Sequence, residues 1–328
     1  MSGIFLVKKI SKISNFTSLF VKKNAPKLYN PKINFLIQNC SESSVSGQVK
    51  LGFEYHGETK MKKMFFAAAF FVSGSLFFSE TVDEILKVYC DLDRVPDYNY
   101  SSIAIDNISK NGTVEHMDLE QFGGGANGLK NTVFSFKSPS SVKDTRILQA
   151  EKISKEDDQW VFMPALRTTR RIAPGDKGKP FVGTELTYND LSLRKEHDDK
   201  NEIISQSESV TVNGVTYDCW KMKSVPVKKN TVEYGYRISW FDKKSYIPLR
   251  IEFYDKKNAS KLIKTYEVEK LEQVKGATGM TYWLRRQNLF TNILTGRKTR
   301  VTVKEYVFDK KISDGYFTQN WLTTGKAR

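Results

Sequence analysis

The chain has 328 residues, 39% of them hydrophobic and 12% aromatic, with a mean hydropathy of -0.47. These values suit a globular protein with a sizeable core and exclude a chain too polar to fold, and the aromatic content favours strands over helices. The net charge is +15, but no recognised nucleic-acid-binding module accompanies it, so nucleic-acid binding is not predicted.

Residues 1–60 differ in composition from the rest of the chain. They are rich in Ser, Asn, Ile and Lys, contain no Arg or Asp, and show no sustained hydrophobic period. Two interpretations stay open: a cytosolic extension ahead of a membrane anchor, or a disordered, non-native extension upstream of a true start at Met61. We favour the second, because the apolar run that follows is short for an anchor.

The stretch that begins at Met61 has the layout of a bacterial signal peptide. Two lysines precede an uncharged run, Phe65–Phe78, which is shorter than the ~20 apolar residues that a membrane-spanning helix needs. Small residues suited to signal-peptidase cleavage lie at 73–75 and at Ser79. We therefore predict a signal peptide over residues 61–79 and a periplasmic location.

The mature domain, predicted over residues 80–328, opens with an amphipathic helix. Residues 80–93 place four apolar side chains on one face, with acidic residues at the N-terminal end, and Pro96 follows the C-terminal end. The apolar face consists of Val82, Ile85, Leu86 and Tyr89.

Beyond this helix the hydrophobic period changes to two. The segment Thr231–Asp242 alternates apolar and polar residues, and so do the segments 248–256 and 299–309. We predict about ten strands between Ser101 and Lys310, with one helical interruption near Thr184–Arg194. Turn sequences separate the runs, among them Lys110-Asn111-Gly112, Asn213-Gly214 and Lys275-Gly276.

Consecutive hairpins of this length predict one large antiparallel sheet. A single sheet with one opening helix cannot bury both of its faces unless it curls. We therefore predict a mainly β fold, in which the curved sheet forms an open, unclosed β-barrel around an apolar cavity, with a few short helices.

The stretch from Asp157 to Leu191 carries a family pattern: an aromatic strand, a Pro-Ala-Leu break, a basic strand and a run that ends in Tyr-Asn-Asp-Leu. It resembles the exported outer-membrane lipoprotein-sorting family related to LolA and LolB. Stretches that begin at Ser239, Lys261 and Gly315 match the family in order. The matching positions of the last run are Phe181, Gly183, Thr184, Glu185, Leu186, Thr187, Tyr188, Asp190 and Leu191.

The resemblance spans roughly residues 80–322 and departs conservatively at Glu185-Leu186, where Asp-Phe is commoner, and at Asn189. It implies a LolA/LolB-like open barrel. It also implies a carrier that moves lipid or lipoprotein acyl chains across the periplasm toward the outer membrane, beside an RND-type or ABC transporter. Two alternatives stay open: a lipid-acting esterase or phospholipase, and a non-carrier accessory subunit of such a transporter.

Two sets of side chains are candidates for contact with cargo. Arg167, Arg170 and Arg171 are candidates to contact anionic head groups or an acidic partner, the alternative being a solvated strand face. Large apolar residues are candidates to line the acyl-chain cavity, the alternative being an ordinary core. These cavity candidates are Trp160, Phe162, Met163, Phe181, Leu186, Tyr188, Leu191 and Trp240.

Residues 181–191 are also a candidate lid. Pro180 disfavours helix in the residue before it, and Thr184 is suited to cap a short helix that follows. Such a helix on a Gly-Pro hinge would cover a lipid cavity. The alternative is a fixed plug that fills the mouth of the barrel.

No residue pattern predicts catalysis, a metal site or a cofactor. His116 and His197 are not at metal-ligand spacing, the glycine-rich run 122–128 lacks the features of a phosphate loop, and no Gly-x-Ser-x-Gly elbow occurs. Cys90 and Cys219 are either two thiols, which we favour, or one disulfide. The partners that the family resemblance implies are lipid or lipoprotein acyl chains, an envelope transporter or outer-membrane acceptor, and the membrane by peripheral contact.

Overall fold

The computed structural model describes residues 80–94, 96–125, 129–152, 156–192 and 194–327, and every structural statement below concerns these residues. The predicted upstream extension and signal peptide lie outside them. Helix α1 covers Val82–Arg94 and helix α2 covers Gln319–Thr324. The strands are β1 (Asn99–Ile108), β2 (Val114–Gly124), β3 (Asn131–Ser138), β4 (Arg146–Ala150), β5 (Asp158–Met163), β6 (Thr168–Arg171), β7 (Asp199–Val212), β8 (Val215–Pro226), β9 (Tyr236–Asp242), β10 (Pro248–Tyr254), β11 (Leu262–Lys275), β12 (Thr281–Asn292) and β13 (Lys298–Phe308).

The thirteen described strands form one antiparallel sheet in the order β6-β5-β4-β3-β2-β1-β13-β12-β11-β10-β9-β8-β7. Strands that are consecutive in sequence pair with each other, except β6 and β7. At the centre, β1 also pairs with β13, in a register that sets Asn99 opposite Phe308 and Ile108 opposite Lys298. The edges are β6 and β7, and no pairing within the described part of the chain joins them. The predicted single open antiparallel sheet is confirmed.

Local sequence explains the tight connections between strands. Asn213 and Gly214, with φ of 48° and 79°, join β7 to β8, as the sequence predicts. Two consecutive positive φ values suit the right-handed twist of a two-residue hairpin, and Asn and Gly adopt them at the lowest cost. Gly112, with φ of 90°, has the same role between β1 and β2.

The register divides the sheet into two faces, because cross-strand partners lie on the same side. We call the face that α1 covers the inner face. It also receives residues 172–198, the crossing segment, which connects β6 to β7. The inner face carries, from one side of the sheet to the other, Phe136, Leu119, Ile103, Val303, Thr299, Phe290, Tyr266, Ile251 and Met222.

Helix α1 confirms the predicted amphipathic helix. Thr81 and Glu84 form a reciprocal cap, in which Glu84 N donates to Thr81 Oγ1 at 3.3 Å and Thr81 N donates to Glu84 Oε2 at 2.8 Å. Ile85 and Leu86 are buried against inner-face residues of β8 and β9. The ring of Tyr89 meets Phe241 edge-on at 5.4 Å.

Helix α2 covers the outer face of the opposite half of the sheet. Trp321 and Leu322 are buried against Val133, Leu148 and Phe162 on β3, β4 and β5. This second layer explains why these strands are apolar on both faces. The loss of apolar–polar alternation on β3, β4 and β5 therefore indicates that a second element covers their outer face.

The two sides of the sheet converge on the crossing segment. Lys195 Nζ donates to Lys152 O at 2.9 Å, in the loop between β4 and β5. The adjacent Arg194 donates to both carboxylate oxygens of Asp199, the first residue of β7. Lys195 therefore contacts the β4–β5 loop near one edge of the sheet, while the adjacent Arg194 contacts β7 at the other edge. This proximity shows that the sheet is strongly curved and that the crossing segment spans the gap between its edges.

The structure corrects two predictions about local elements. The described chain has thirteen strands rather than about ten, because β4 and β6 are too short to show a period of two. The helix predicted near Thr184–Arg194 is wrong: only the 3-10 turn Tyr188–Leu191 forms there, and the residue at its cap is Thr187 rather than Thr184.

Candidate functional site

The crossing segment folds back on itself as a tight hairpin, residues 179–188, which we call the inner hairpin. Phe181 N donates to Leu186 O at 2.7 Å and Tyr188 N donates to Lys179 O at 3.3 Å. Gly183 has a φ of 77°, which glycine adopts without strain, and it forms the tip. The Phe-x-Gly-Thr pattern of the sequence therefore encodes a turn rather than a helix start.

The inner hairpin inserts aromatic side chains into the core of the inner face. Phe181 is 2% exposed, and its ring centroid lies 5.8 Å from Phe134, 5.7 Å from Phe136 and 5.8 Å from Tyr188. Leu186 is buried in the same cluster. The hairpin thus packs its apolar side chains directly against the inner face of the sheet.

A buried charge cluster fixes the C-terminal end of the inner hairpin. Lys264, on the inner face of β11, places its Nζ 2.8 Å from Asp190 Oδ2 and 3.2 Å from Glu233 Oε1. Burial alone would lower the pKa of Lys264, but the two carboxylates raise it above its ordinary value. Asn189 adds a hydrogen bond from Nδ2 to Glu233 Oε2 at 3.2 Å.

The tip of the hairpin is held separately, by the turn between β12 and β13. Arg297 Nε pairs with Glu185 Oε1 at 3.0 Å, and Arg297 also donates to Gly183 O at 3.2 Å. Asn292 Nδ2 donates to Glu185 Oε2 at 2.8 Å. Backbone N–H of Glu185 donates to Thr299 Oγ1 at 2.9 Å. Apolar packing and polar contacts thus restrain the same short hairpin from opposite sides.

Beyond the hairpin, Asp199 is shared between two arginines. Its carboxylate pairs with Arg194 and accepts from Arg237 at 3.2 Å, and only 2% of its side chain is exposed. Burial alone would lower the pKa of Arg194, but its hydrogen bonds to Asp199 raise the pKa above its ordinary value. This buried cluster anchors the end of the crossing segment to β7 and β9.

The structure places six of the eight predicted cavity residues in one hydrophobic cluster, five of them around the inner hairpin. Phe181 and Leu186 are buried, and Met163, Tyr188 and Leu191 pack partly buried against the same inner-face cluster. Their side chains contact one another. The inner face around these five residues is the candidate site.

Trp240 is the sixth member of that cluster, and the remaining two predicted residues lie on the outer face. Trp160 and Phe162 alternate with Val161 along β5 and pack under α2. Trp240 lies between the cations of Lys221 and Arg250, each 5.0 Å from its ring. Because successive residues of a strand point to opposite sides, Phe162 and Met163 cannot line one wall.

The three predicted head-group arginines have different surroundings. Arg171 pairs with Asp158 on the neighbouring strand. Arg167, with φ of 50°, ends the exposed turn after β5, and Arg170 is exposed on β6. Neither Arg167 nor Arg170 forms an ion pair with a residue in the described ranges.

The histidines and cysteines show no catalytic arrangement among the described residues. His116 places Nδ1 2.7 Å from Asp106 and Nε2 3.2 Å from Asp118, and the hydrogen bond to Asp106 raises its pKa. Ser138 donates to Asp118 rather than to the imidazole, so no nucleophile–base pair forms there. No disulfide links Cys90 to Cys219, and burial raises the pKa of the Cys219 thiol to about 12.

Sequence reasoning missed the charged residues that hold the hairpin: Lys264, Glu233, Arg297 and Arg194. One signal was available, since Lys264 shares the inner-face parity of Tyr266 and Val268, and a lysine among core positions needs a buried partner.

No helix in the described part of the chain is long and apolar enough to cross a membrane.

Comparison with known proteins gives one family match and several structural matches. A family model described as "Uncharacterized protein" matches residues 128–324, more than half of the chain. No curated protein matches the sequence significantly.

The structural matches cover about three quarters of the chain. A structure described as an outer membrane lipoprotein-sorting protein domain from Vibrio parahaemolyticus is 25% identical, with a TM-score of 0.62, and the match covers 73% of this chain and 97% of that one. A DUF1329 family protein from Desulfovibrio piger is 22% identical, with a TM-score of 0.63 and coverage of 74% and 98%. A LolA superfamily protein from Nitrosomonas europaea is 17% identical, with a TM-score of 0.55 and coverage of 74% and 99%.

Proposed function

Since the chain belongs to the LolA/LolB-like family, we propose that it is a periplasmic carrier, which binds lipid or lipoprotein acyl chains and passes them toward the outer membrane. The observation that carries this proposal is the inner hairpin. An apolar interior is covered by a ten-residue hairpin, residues 179–188, which apolar packing and polar side-chain contacts both restrain. Such a cover can be released without unfolding the sheet beneath it.

The energetics of an acyl chain favour a carrier that hands over its cargo. Burying about 15 methylenes at ~0.8 kcal/mol each amounts to roughly 12 kcal/mol gross. Release of such a chain into water would be very slow, so transfer needs a direct acceptor. An entering chain would take over the contacts that Phe181 and Tyr188 make with the inner face.

The cellular location in this proposal rests on the signal-like sequence at 61–79 and on the outer-membrane role in the description of the Vibrio parahaemolyticus structure. Its acceptor would be an outer-membrane component, and its donor an RND-type or ABC transporter in the inner membrane.

The test is to recover lipid with the protein. The full chain is expressed in a Gram-negative host, isolated from the periplasmic fraction without detergent, and extracted for mass spectrometry. We expect co-purified phospholipid or acylated peptide with the native chain and much less with Tyr188→Ala, because Tyr188, the last residue of the hairpin, packs on Phe181 at the inner face.

Tyr316→Ala is the matched control. Tyr316 is also a partly buried tyrosine in ring contact, 4.4 Å from Phe122, but it lies on the outer face. It should leave the amount of bound lipid unchanged. A native chain without lipid, or equal loss from both variants, contradicts the carrier. Free fatty acid accumulating from intact lipid would instead support the esterase.

A further inference from the structure

Four turns lie side by side at one end of the sheet. They join β8 to β9 (residues 227–235), β10 to β11 (255–261), β12 to β13 (293–297) and β1 to β2 (109–113). The strands they connect are consecutive in the sheet from β8 to β2, so the turns form a continuous border. We call this border, with the adjoining residue Lys298, the basic rim.

Direct contacts confirm that neighbouring turns of the rim touch. Tyr236, at the start of β9, donates its hydroxyl to Ala259 O at 2.8 Å. Ile293 N donates to Ile263 O at 2.9 Å. The stem of Lys110 packs beside Gly296.

The rim carries an excess of unpaired positive charge. Seven lysines on it are exposed, and none forms an ion pair with a residue that the structure describes. Two carboxylates lie on the same turns. Glu233 pairs with Lys264, while Asp255 accepts from the backbone N–H groups of Lys257 and Asn258 and offsets one of the seven charges at longer range. The seven are Lys110, Lys228, Lys229, Lys256, Lys257, Lys261 and Lys298.

Apolar side chains protrude from the same rim. Leu294 is 58% exposed and Ile293 44% exposed at the tip of the β12–β13 turn, and Val227 is 54% exposed at the start of the β8–β9 turn. Two adjacent large apolar residues at a turn tip, flanked by lysines, match the interface of a bilayer, where apolar groups enter the acyl boundary and cations stay with the head groups.

Three lysines near the opposite end of the sheet are paired with carboxylates. Lys152 lies 3.5 Å from Asp158, Lys179 2.7 Å from Asp176, and Lys243 2.7 Å from Asp218. Lys310 and Lys311, after β13, are exposed there and form no ion pair with a described residue. The rim differs in that exposed lysines and exposed large apolar side chains lie on adjacent turns.

We propose that the basic rim docks on the surface of an anionic phospholipid bilayer, with Ile293 and Leu294 inserted. The complementary charge of anionic head groups identifies the occupant. Bilayer docking itself does not depend on the proposed carrier function; only its biological role, the delivery of acyl chains, rests on that function. Arg297, at the end of the β12–β13 turn, holds the tip of the inner hairpin, so docking would bring the bilayer to the point where the cover of the acyl-chain site is restrained.

The experiment is co-sedimentation of the full chain with vesicles of phosphatidylcholine alone or of phosphatidylcholine with phosphatidylglycerol. We expect binding to the anionic vesicles only, weakening as salt is added. Each basic residue near an anionic surface strengthens binding about fivefold, so the pair Lys256→Glu and Lys257→Glu should weaken it more than tenfold. Leu294→Asn should weaken binding in both low and high salt.

The pair Lys310→Glu and Lys311→Glu is the matched control, since these adjacent exposed lysines follow β13 at the opposite end. It should bind as the native chain does. Equal loss from both pairs, binding independent of phosphatidylglycerol, or no sedimentation with either vesicle overturns the proposal; the last outcome would leave an acidic protein as the partner of the rim. Lipid content measured on the same samples separates the two proposals, because the rim variants should keep their lipid.

Discussion

Lys264 occupies a position that the pattern of its strand assigns to the core. It alternates with Tyr266 and Val268 on the inner face, yet carries a charge that only Asp190 and Glu233 balance. Those partners lie 74 and 31 residues away in sequence. A sequence pattern can therefore flag the buried lysine, but cannot name its partners, which depend on the path of the crossing segment.

Replacing Lys264 by Met should destabilise the protein by about 3 kcal/mol, near the lower limit for breaking a buried ion pair. Two carboxylates would lose their cation, while Thr187 and Asn189 would still donate to them and limit the cost. Urea unfolding followed by tryptophan fluorescence measures the change. Lys221→Met is the control: its pair with Glu208 is partly exposed, so it should cost below about 1 kcal/mol. Similar losses from both variants would contradict the account of the buried cluster.

At the scale of elements, α2 shows how tertiary contacts sustain a helix too short to be stable alone. Thr318 Oγ1 accepts from Trp321 N at 3.1 Å at its start, and Gly325 ends it with a φ of 71°. Arg146 donates to the carbonyl oxygens of Leu322 at 2.7 Å and of Thr323 at 2.8 Å. Burial lowers the pKa of Arg146 below its ordinary value.

Arg146→Met should cost about 1–3 kcal/mol, because it keeps an apolar stem of similar length but leaves two helix carbonyls without their donor. Thermal unfolding of the variant gives the loss in stability, and limited proteolysis should cut the C-terminal residues faster. Arg171→Met removes an exposed arginine that pairs on the sheet surface and should be nearly neutral. Unchanged proteolysis in Arg146→Met would show that packing alone holds α2.

The elements that the sequence predicts well are those with their own local signal. Helix α1 has an apolar face over thirteen residues, and the β7–β8 turn has Asn213-Gly214. The inner hairpin has no such signal, because Thr184 hydrogen-bonds to Phe181 O as part of a turn instead of capping a helix. The sequence groups Trp160 and Phe162 with Met163, because adjacent residues of β5 are all apolar. In the structure the first two pack under α2 on the outer face, which the sequence of β5 alone does not indicate.

At the scale of the whole molecule, access to the inner face depends on whether the hairpin can leave it. Arg297→Ala removes contacts to Glu185 and Gly183 at the tip. We expect it to speed the transfer of a fluorescent phospholipid from the loaded protein to acceptor vesicles by roughly two- to fivefold, the range that one exposed ion pair can contribute. Vesicles of uncharged phosphatidylcholine keep the charge of the rim from contributing to the rate.

Arg300→Ala serves as the comparison, since Arg300 pairs with Glu269 within the sheet and makes no contact with the hairpin among the described residues. Its transfer rate should equal that of the native chain. Equal acceleration by both variants would mean that the whole sheet, rather than the hairpin, limits transfer. The family pattern of the sequence marks this segment, for which a short helix was predicted rather than a hairpin; its restraints come from β11 and the β12–β13 turn, far along the chain.

The pairing of β1 with β13 at the centre of the sheet also constrains the order of folding. Strand β1 can pair with β13, its second neighbour in the sheet, only after β13 has been synthesised, some two hundred residues later. Contacts of such long sequence separation slow folding, because loop closure precedes the gain from pairing. During synthesis the sheet consists of two incomplete halves until the C-terminal strand leaves the ribosome. In the proposed periplasmic carrier, this late central pairing would leave the sheet incomplete during synthesis, and an incompletely folded chain is the form that a translocation channel can thread.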